Sequence, residues 1–109
     1  MEARRFVART LTPLLGREDV ETAMLVANEL VTNAALHAGT ECELVLEGHP
    51  GGLTIRVSDF DRQAVTGRAF GGEVSAGRGL RLLEVLGRRW GVEPDEHGKT
   101  VWCDLRVRG

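Results

Sequence analysis

The stretch 23–39, AMLVANELVTNAALHAG, decides how the rest of the chain is interpreted. Its apolar residues recur at helical spacing. We therefore predict a helix that begins near Val20, with Asp19 as its N-cap, and that ends at about Ala38. Because the helix is rich in Ala, Leu and Val, it is predicted to pack in the core.

Two polar residues interrupt this apolar helix. Glu29 and Asn33 are four residues apart, so their side chains share one face. A carboxylate among apolar neighbours costs free energy unless it is hydrogen-bonded or faces a charged ligand. A purely structural alternative stays open, in which Glu29 pairs with an arginine, Asn33 bonds to backbone, and His37 is favoured by the helix dipole.

The other elements follow from a change of period along the chain. Helical spacing predicts two more helices, over residues 2–12 and from about 78 to 87. Alternation of apolar and polar residues predicts four strands, over residues 41–48, 53–60, 90–92 and 99–107. The first two strands are joined by the short turn 49–52, which predicts an antiparallel hairpin. This order predicts an α+β two-layer sandwich with a mixed, mostly antiparallel sheet covered by helices on one face.

Composition restricts the class of protein. The 109 residues predict one domain over 1–109, and a net charge of -2 with 42% apolar residues excludes disorder driven by charge. Because no large basic patch is visible, we expect no direct nucleic-acid binding. Cys42 and Cys103 have no partner at ligand spacing, which is typical of a reduced protein. No apolar run or signal peptide predicts a membrane segment, so we expect a cytoplasmic protein.

A glycine pair precedes the third predicted helix. Gly77 and Gly79 flank Arg78, and glycines at a helix start let backbone N–H groups approach a phosphate. The pattern is weak alone, because such a sequence is also typical of a turn. A P-loop and a Rossmann fingerprint are both absent from the sequence.

Four motifs together resemble one known family. They are ELVTNAALHA at 29–38, VSDF at 57–60, AGRGLRLLEVLGRRWGVEP at 76–94 and GKTVWCDL at 98–105. In their order and spacing they resemble the N-box, the two glycine boxes and the closing strand of the GHKL ATP-binding superfamily. In their amino-acid residues these motifs are most similar to those of the bacterial anti-sigma factor serine/threonine kinases of the actinobacterial type. The resemblance implies the histidine kinase-like, Bergerat-type fold, with ATP and Mg²⁺ as cofactors.

The resemblance also implies roles for individual residues. Asn33 would coordinate Mg²⁺, and Glu29 would be the general base for phosphoryl transfer. Asp59 would accept a hydrogen bond from the adenine amino group, supported by Thr100. The phosphate side of the pocket would be shaped by Gly77, Arg78, Gly79 and Leu80. Residues 66–76 would form a lid over the nucleotide.

The function implied is that of a protein serine/threonine kinase. It would bind a sigma factor and phosphorylate an anti-anti-sigma antagonist protein. The alternative is a regulatory binding module, with or without bound ATP, that has no kinase activity. An ATPase that uses Glu29 to activate water is a third and weaker reading, because the larger ATPases of this family place a second domain's lysine on the γ-phosphate.

Two departures from the family pattern bear on these expectations. Asp59 is followed by Phe60 and Asp61, where the family has a turn containing Gly or Pro, and this motivates the binding-module alternative. Members of the family generally begin with a strand, whereas this sequence begins with the predicted helix. That strand contributes to dimer contacts in the family, so a homodimer stays an open expectation.

Overall fold

The computed structural model describes residues 3–38, 42–59, 81–94, 96 and 98–108. Within these ranges the chain forms three helices and four strands. The helices are α1 (Ala3–Leu11), α2 (Arg17–Ala38) and α3 (Arg81–Leu86). The strands are β1 (Cys42–His49), β2 (Gly52–Asp59), β3 (Arg89–Pro94) and β4 (Lys99–Arg106).

The strands form one sheet in the order β1-β2-β4-β3, and every pairing among them is antiparallel. The α+β class and the hairpin of β1 and β2 are therefore confirmed. The prediction of a mixed sheet is wrong for the described strands. β2 and β3 run in the same direction, but β4 lies between them, so no parallel pair forms.

The helices cover one face of this sheet. β2 turns Leu53, Ile55 and Val57 to that face, and β4 turns Cys103 and Leu105 to it; all five side chains are buried. On β1 the partly buried side chains against this core are those predicted from alternation, namely Cys42, Leu44 and Leu46. α2 packs on β1, β2 and β4, while α1 packs on α2. The result is a two-layer arrangement with the other sheet face free of described helices.

α2 contributes the largest apolar surface to the core. Its buried residues recur at intervals of three and four, as Val20, Ala23, Ala27, Leu30 and Ala34. This spacing explains why a 22-residue segment forms one continuous helix. The periodic pattern predicted the helix and its end correctly.

The predicted start of α2 is wrong. The helix begins at Arg17, and the Gly16 carbonyl accepts the first helical hydrogen bond from the Val20 N–H at 3.0 Å. Asp19 is therefore inside the first turn, where a carboxylate is favoured by the helix dipole. Its Oδ2 accepts a hydrogen bond from the Arg108 N–H at 2.8 Å, which ties the end of the chain to α2.

The junction of α3 and β3 depends on a glycine. A Cβ at Gly87 would lie 2.6 Å from the Cys103 Sγ and 2.7 Å from the Leu83 carbonyl oxygen. We therefore expect Gly87→Ala to lower the free energy of unfolding by about 1–3 kcal/mol through overpacking. The measurement is urea denaturation. Gly48→Ala is the matched control, because a Cβ there meets nothing within 4 Å; equal midpoints for the two variants would contradict the expectation.

Candidate functional site

A buried ion pair lies at the end of β2 on the helix-covered side. Asp59 is the last residue of β2 and pairs in register with Lys99, the first residue of β4. The Lys99 ammonium donates a hydrogen bond to the Asp59 carboxylate. The Asp59 side chain is 2% exposed and the Lys99 side chain 9%. Lysine is seldom buried this deeply unless it is paired, so the two charges depend on each other.

Thr100 lies on the opposite face of the sheet from Asp59. It pairs in register with Ser58, and the hydroxyl oxygens of the two residues are 2.7 Å apart. Because strand residues alternate between faces, the neighbour of Thr100 points to the Asp59 side instead. The structure thus brings Lys99, and not Thr100, to the predicted adenine-binding residue.

This parity could have been derived from the sequence. Along β4 the apolar residues Val101, Cys103 and Leu105 are at odd-numbered positions, and the even-numbered residues from 100 to 106 are polar except for Trp102, which assigns the odd-numbered positions to the core. Lys99 is at one of these odd-numbered positions, and Thr100 is not. Sequence reasoning missed Lys99 because it followed the motif and not the alternation.

Glu29 and Asn33 lie on a half-buried flank of α2. Both are intermediate in exposure, next to the buried row that includes Leu30 and Ala34. None of the ion pairs among the described residues includes Glu29. No arginine within the described ranges therefore pairs with Glu29 as the structural alternative requires.

Chain connectivity relates α2 to the Asp59 end of the sheet. Asn33 lies five residues before the end of α2 at Ala38, which is about 7.5 Å along the helix axis. β1 begins at Cys42, and the four residues from Ala38 span at most about 14 Å. Cys42 is the register partner of Asp59. The chain therefore joins the C-terminal end of α2, and not its start, to the end of the sheet that holds Asp59.

The chemistry of these side chains fits a nucleotide and its metal ion. Asn33 offers an amide oxygen, a ligand type that Mg²⁺ accepts alongside phosphate oxygens and water. Asp59 offers a carboxylate acceptor, and Glu29 offers a carboxylate one helical turn from Asn33. Among the described residues no three His, Cys, Asp or Glu side chains cluster as a metal site. The proposed metal ion relies on one protein ligand and on phosphate oxygens, so it does not need such a cluster.

Several predicted site residues lie outside the described part of the chain. They are Gly77, Arg78, Gly79, Leu80 and the lid segment 66–76. α3 follows them directly, from Arg81 onward, and its Leu83 is fully buried. Leu86 packs partly on the core, whereas Val85 is exposed.

A second polar cluster occupies the helix-free face at the other end of the sheet. Its centre is Asp104, which is buried. Arg88 donates to Asp104 Oδ2 through Nε at 3.2 Å and through a terminal nitrogen at 3.0 Å. Thr54 donates to Oδ1 at 3.2 Å, and His49 Nε2 lies 3.0 Å from the same oxygen. A Cβ at Gly52 would fall 2.3 Å from the His49 ring, so glycine is what allows the ring to lie there.

The His49, Thr54 and Asp104 side chains do not form a catalytic triad. His49 Nε2 also lies 3.1 Å from the Thr54 Oγ1, so one ring nitrogen faces both oxygens. Since the Thr54 hydroxyl gives its hydrogen to Asp104, Nε2 carries the proton that reaches both. A triad histidine uses its two nitrogens separately, one toward the carboxylate and one toward the nucleophile. The cluster therefore joins strands and offers no activated hydroxyl.

The pKa of Asp104 follows from this environment. Burial raises the pKa of the carboxyl, but hydrogen bonds and charge from Arg88, with further hydrogen bonds from His49 and Thr54, outweigh it. The pKa is consequently below its usual value of 3.8, and Asp104 is ionised at neutral pH. A cleft of about 430 Å³ beside it is lined by acidic and basic side chains, among them Glu47, Arg56 and Arg89. Because these charges oppose each other, the cleft has no marked preference for an anion or a cation.

The cysteines are not candidates for nucleophilic chemistry. Burial, and secondarily the charge of Asp104, raises the pKa of Cys103 to about 12. Burial and the charge of Asp59 also raise the pKa of Cys42. Since the thiolate is the reactive form, both thiols are inert at neutral pH.

Two further findings complete the description of the chain. Of the helices in the described ranges, none has both the length and the apolarity needed to cross a membrane. No protein-family model matches the sequence, and no curated protein matches it significantly.

Proposed function

We propose that this chain is a cytoplasmic, ATP- and Mg²⁺-dependent protein serine/threonine kinase of the anti-sigma factor type, with the GHKL fold. One observation carries the proposal. Asp59 is buried at the end of β2 under the helix layer, and Glu29 and Asn33 are half-buried in the half of α2 whose C-terminal end the chain joins to that end of the sheet. Buried charged groups are concentrated at functional sites, and this supports the proposal although Lys99 already pairs with Asp59.

Each residue has a defined task in this proposal. Asn33 holds the metal ion, and Asp59 accepts a hydrogen bond from the base. Glu29 orients the hydroxyl of the substrate Ser or Thr and accepts its proton. Bound Mg-ATP supplies the phosphoryl group and neutralises its charge.

The partners in this proposal are a sigma factor and its antagonist. The chain binds the sigma factor and phosphorylates the antagonist on Ser or Thr. In this proposal the antagonist supplies the phosphoryl acceptor in trans.

A regulatory binding module without kinase activity is the second candidate. The Asp59–Lys99 ion pair favours it, because Lys99 already takes an oxygen that the adenine amino group would use. In this candidate the two charges are a structural pair, and the chain acts only by docking its partner. Fold likeness does not decide between the candidates, since function lies in the site.

Thermal unfolding with Mg-ATP tests the nucleotide site that the kinase requires. Ligand at about 100 times its Kd stabilises the folded state by about 2.7 kcal/mol, which raises the Tm by roughly ten degrees for a domain of this size. We expect this increase in the wild type and its loss in Asn33→Ala, and we expect EDTA to have the same effect on the wild type. The measurement is the Tm at a series of nucleotide concentrations.

Asn28→Ala is the matched control for that measurement. Asn28 is also half-buried on α2, but it lies about 140° around the helix from Asn33. It is expected to keep the nucleotide-dependent increase in Tm. If Mg-ATP leaves the wild-type Tm unchanged, the kinase proposal fails and the binding module is favoured.

A further inference from the structure

β3 is an outer strand of the sheet. In the order β1-β2-β4-β3 it pairs with β4 on one side, and no other strand of the described ranges pairs with it on the other. An outer strand presents backbone N–H and carbonyl groups that can bond to a further strand, and proteins often protect such edges with charged side chains. The side chains of β3 therefore decide whether a further strand is repelled or accepted.

The sequence of β3 is complementary to itself in the antiparallel direction. When two copies pair about Gly91, Arg89 of one copy lies opposite Glu93 of the other, and Trp90 lies opposite Val92. Opposite charges and apolar side chains that face each other across antiparallel strands stabilise the pairing. A two-fold axis forms each of these contacts twice, because both copies use the same surface.

The charges of β3 are available for such a contact. The Arg89 side chain is 75% exposed, and it lies 3.8 Å from an Asp104 oxygen that Arg88 already binds at 3.0 Å. Glu93 is exposed and belongs to none of the ion pairs among the described residues. A second copy would give each of these two residues an oppositely charged partner.

The apolar side chains of this edge are only partly covered. Trp90 packs against the core but is partly buried, so Val92 of a second copy would cover it further. On the helix-free face the Trp102 ring lies against Gly91, where an added Cβ would fall 2.9 Å from the ring. Because Gly91 has no side chain, the Trp102 rings of both copies have room beside the axis. Removal of this apolar surface from water favours association.

β1, the outer strand at the opposite edge, lacks this complementarity. Its exposed charged residues Glu43 and Glu47 have the same sign, so an antiparallel pair centred on Val45 would set them opposite each other. Like charges directly opposite each other are destabilising. Of the two outer strands, β3 is therefore the one whose charges accept a second copy.

We propose that the chain forms a two-fold symmetric homodimer by antiparallel pairing of β3 with β3 about Gly91, which joins the two four-stranded sheets into one continuous sheet. This surface differs from the strand ahead of α1 that the family resemblance implies for dimer contacts. The pairing involves few residues, so we expect a weak dimer with a Kd on the order of 10 μM. The proposal does not depend on nucleotide binding.

Charge reversal at residues 89 and 93 tests this dimer by sedimentation velocity between about 1 and 500 μM protein. The wild type is expected to change from monomer to dimer over this range. Arg89→Glu and Glu93→Arg each set like charges opposite each other at both ion pairs, so each variant alone should raise the Kd at least about tenfold. An equimolar mixture of the two variants restores opposite charges at both pairs, and it should dimerise with about the wild-type Kd.

Arg106→Glu is the matched control for the change of charge. Arg106 is exposed at the end of β4 and does not lie on the β3 edge, so this variant should dimerise as the wild type does. A wild type that stays monomeric up to about 500 μM overturns the proposal. A dimer that persists unchanged in both single variants also overturns it, because association would then use another surface.

Amide hydrogen exchange of the wild type above and below its Kd gives a second measurement that needs no variant. Residues 89–93 are expected to gain protection in the dimer, while the amides of β1 stay unchanged. Protection gained by β1 and not by β3 would overturn the assignment of the surface, even if a charge-reversed variant does not fold.

Discussion

For the proposed kinase, a Glu29→Gln variant is expected to transfer phosphate to the proposed antagonist protein about 10²–10⁴-fold more slowly than the wild type, as loss of a general base predicts. Glutamine keeps the shape of the side chain and can still accept a hydrogen bond, but it cannot take the proton of the substrate hydroxyl. Glu29 is half-buried on α2 and belongs to none of the ion pairs among the described residues. Its removal should therefore leave the fold and the Mg-ATP-dependent increase in Tm intact.

The assay follows transfer of the labelled γ-phosphate with time under single-turnover conditions. Glu21→Gln is the matched control, because Glu21 is on the same helix and its side chain is 63% exposed in an ion pair with Arg17. It should transfer phosphate at the wild-type rate. Glu29→Gln acting at that same rate would remove Glu29 from the catalytic role, whatever the Tm data show.

Asp104→Ala is expected to have the largest effect on stability, lowering the free energy of unfolding by about 2–3 kcal/mol. The buried carboxylate joins Arg88, His49 and Thr54 through hydrogen bonds of 3.0–3.2 Å. Truncation leaves these donors without their acceptor. This loss in the free energy of unfolding is at the low end of the range for a broken buried ion pair, because the Arg88 and His49 side chains are about one-third exposed and water can reach them.

Urea denaturation at neutral pH measures this loss. Glu47→Ala is the control, since the Glu47 side chain is 55% exposed in a surface pair with Arg56 and should change stability by less than about 1 kcal/mol. If Asp104→Ala is no less stable than Glu47→Ala, the cluster contributes no more than a surface ion pair does.

The same carboxyl gives stability a defined pH dependence. The pKa of Asp104 is lower in the folded protein than its ordinary value of 3.8. Its contribution is therefore complete above that value and is lost as the pH falls through the folded pKa. The difference in stability between the wild type and Asp104→Asn should narrow as the pH is lowered from 7 to 3. A difference that stays constant over this range would show that the charge of Asp104 is not what stabilises the cluster.

The sequence predicted the parts of the fold that depend on local period. The buried row of α2 and the alternation on β1 are both repeated patterns, so each element can be predicted from its own residues. The start of α2 was misplaced because Asp19 was taken as the N-cap, although acidic residues are equally typical of the first helical turn. The hydrogen bond that Asp19 accepts from the amide of Arg108 joins residues 89 positions apart. No window of sequence around Asp19 contains that contact.

The candidate site was predictable only in part for a similar reason. A motif places Asp59 at a strand end, but the register of β2 on β4 decides which side chain meets it. Alternation on β4 already indicated that Lys99 lies on the same face as Asp59. The Asp104 cluster, in contrast, combines side chains from β1, β2, β4 and the junction of α3 with β3. Such a convergence of distant segments is visible only once the strands are paired.

The antiparallel pairing of β2 with β4 joins the two halves of the chain. Two polar pairs, one at each end of the pairing, fix its register. Asp59 and Lys99 meet at one end on the covered face, while Thr54 and Asp104 meet at the other end on the free face. A slip by one residue would send each charge to the wrong side of the sheet. A slip by two would keep the sides but set the Asp59 carboxylate opposite Val101, with no cation beside it. The two polar pairs therefore disfavour shifted registers of β2 on β4 that the apolar residues alone would allow.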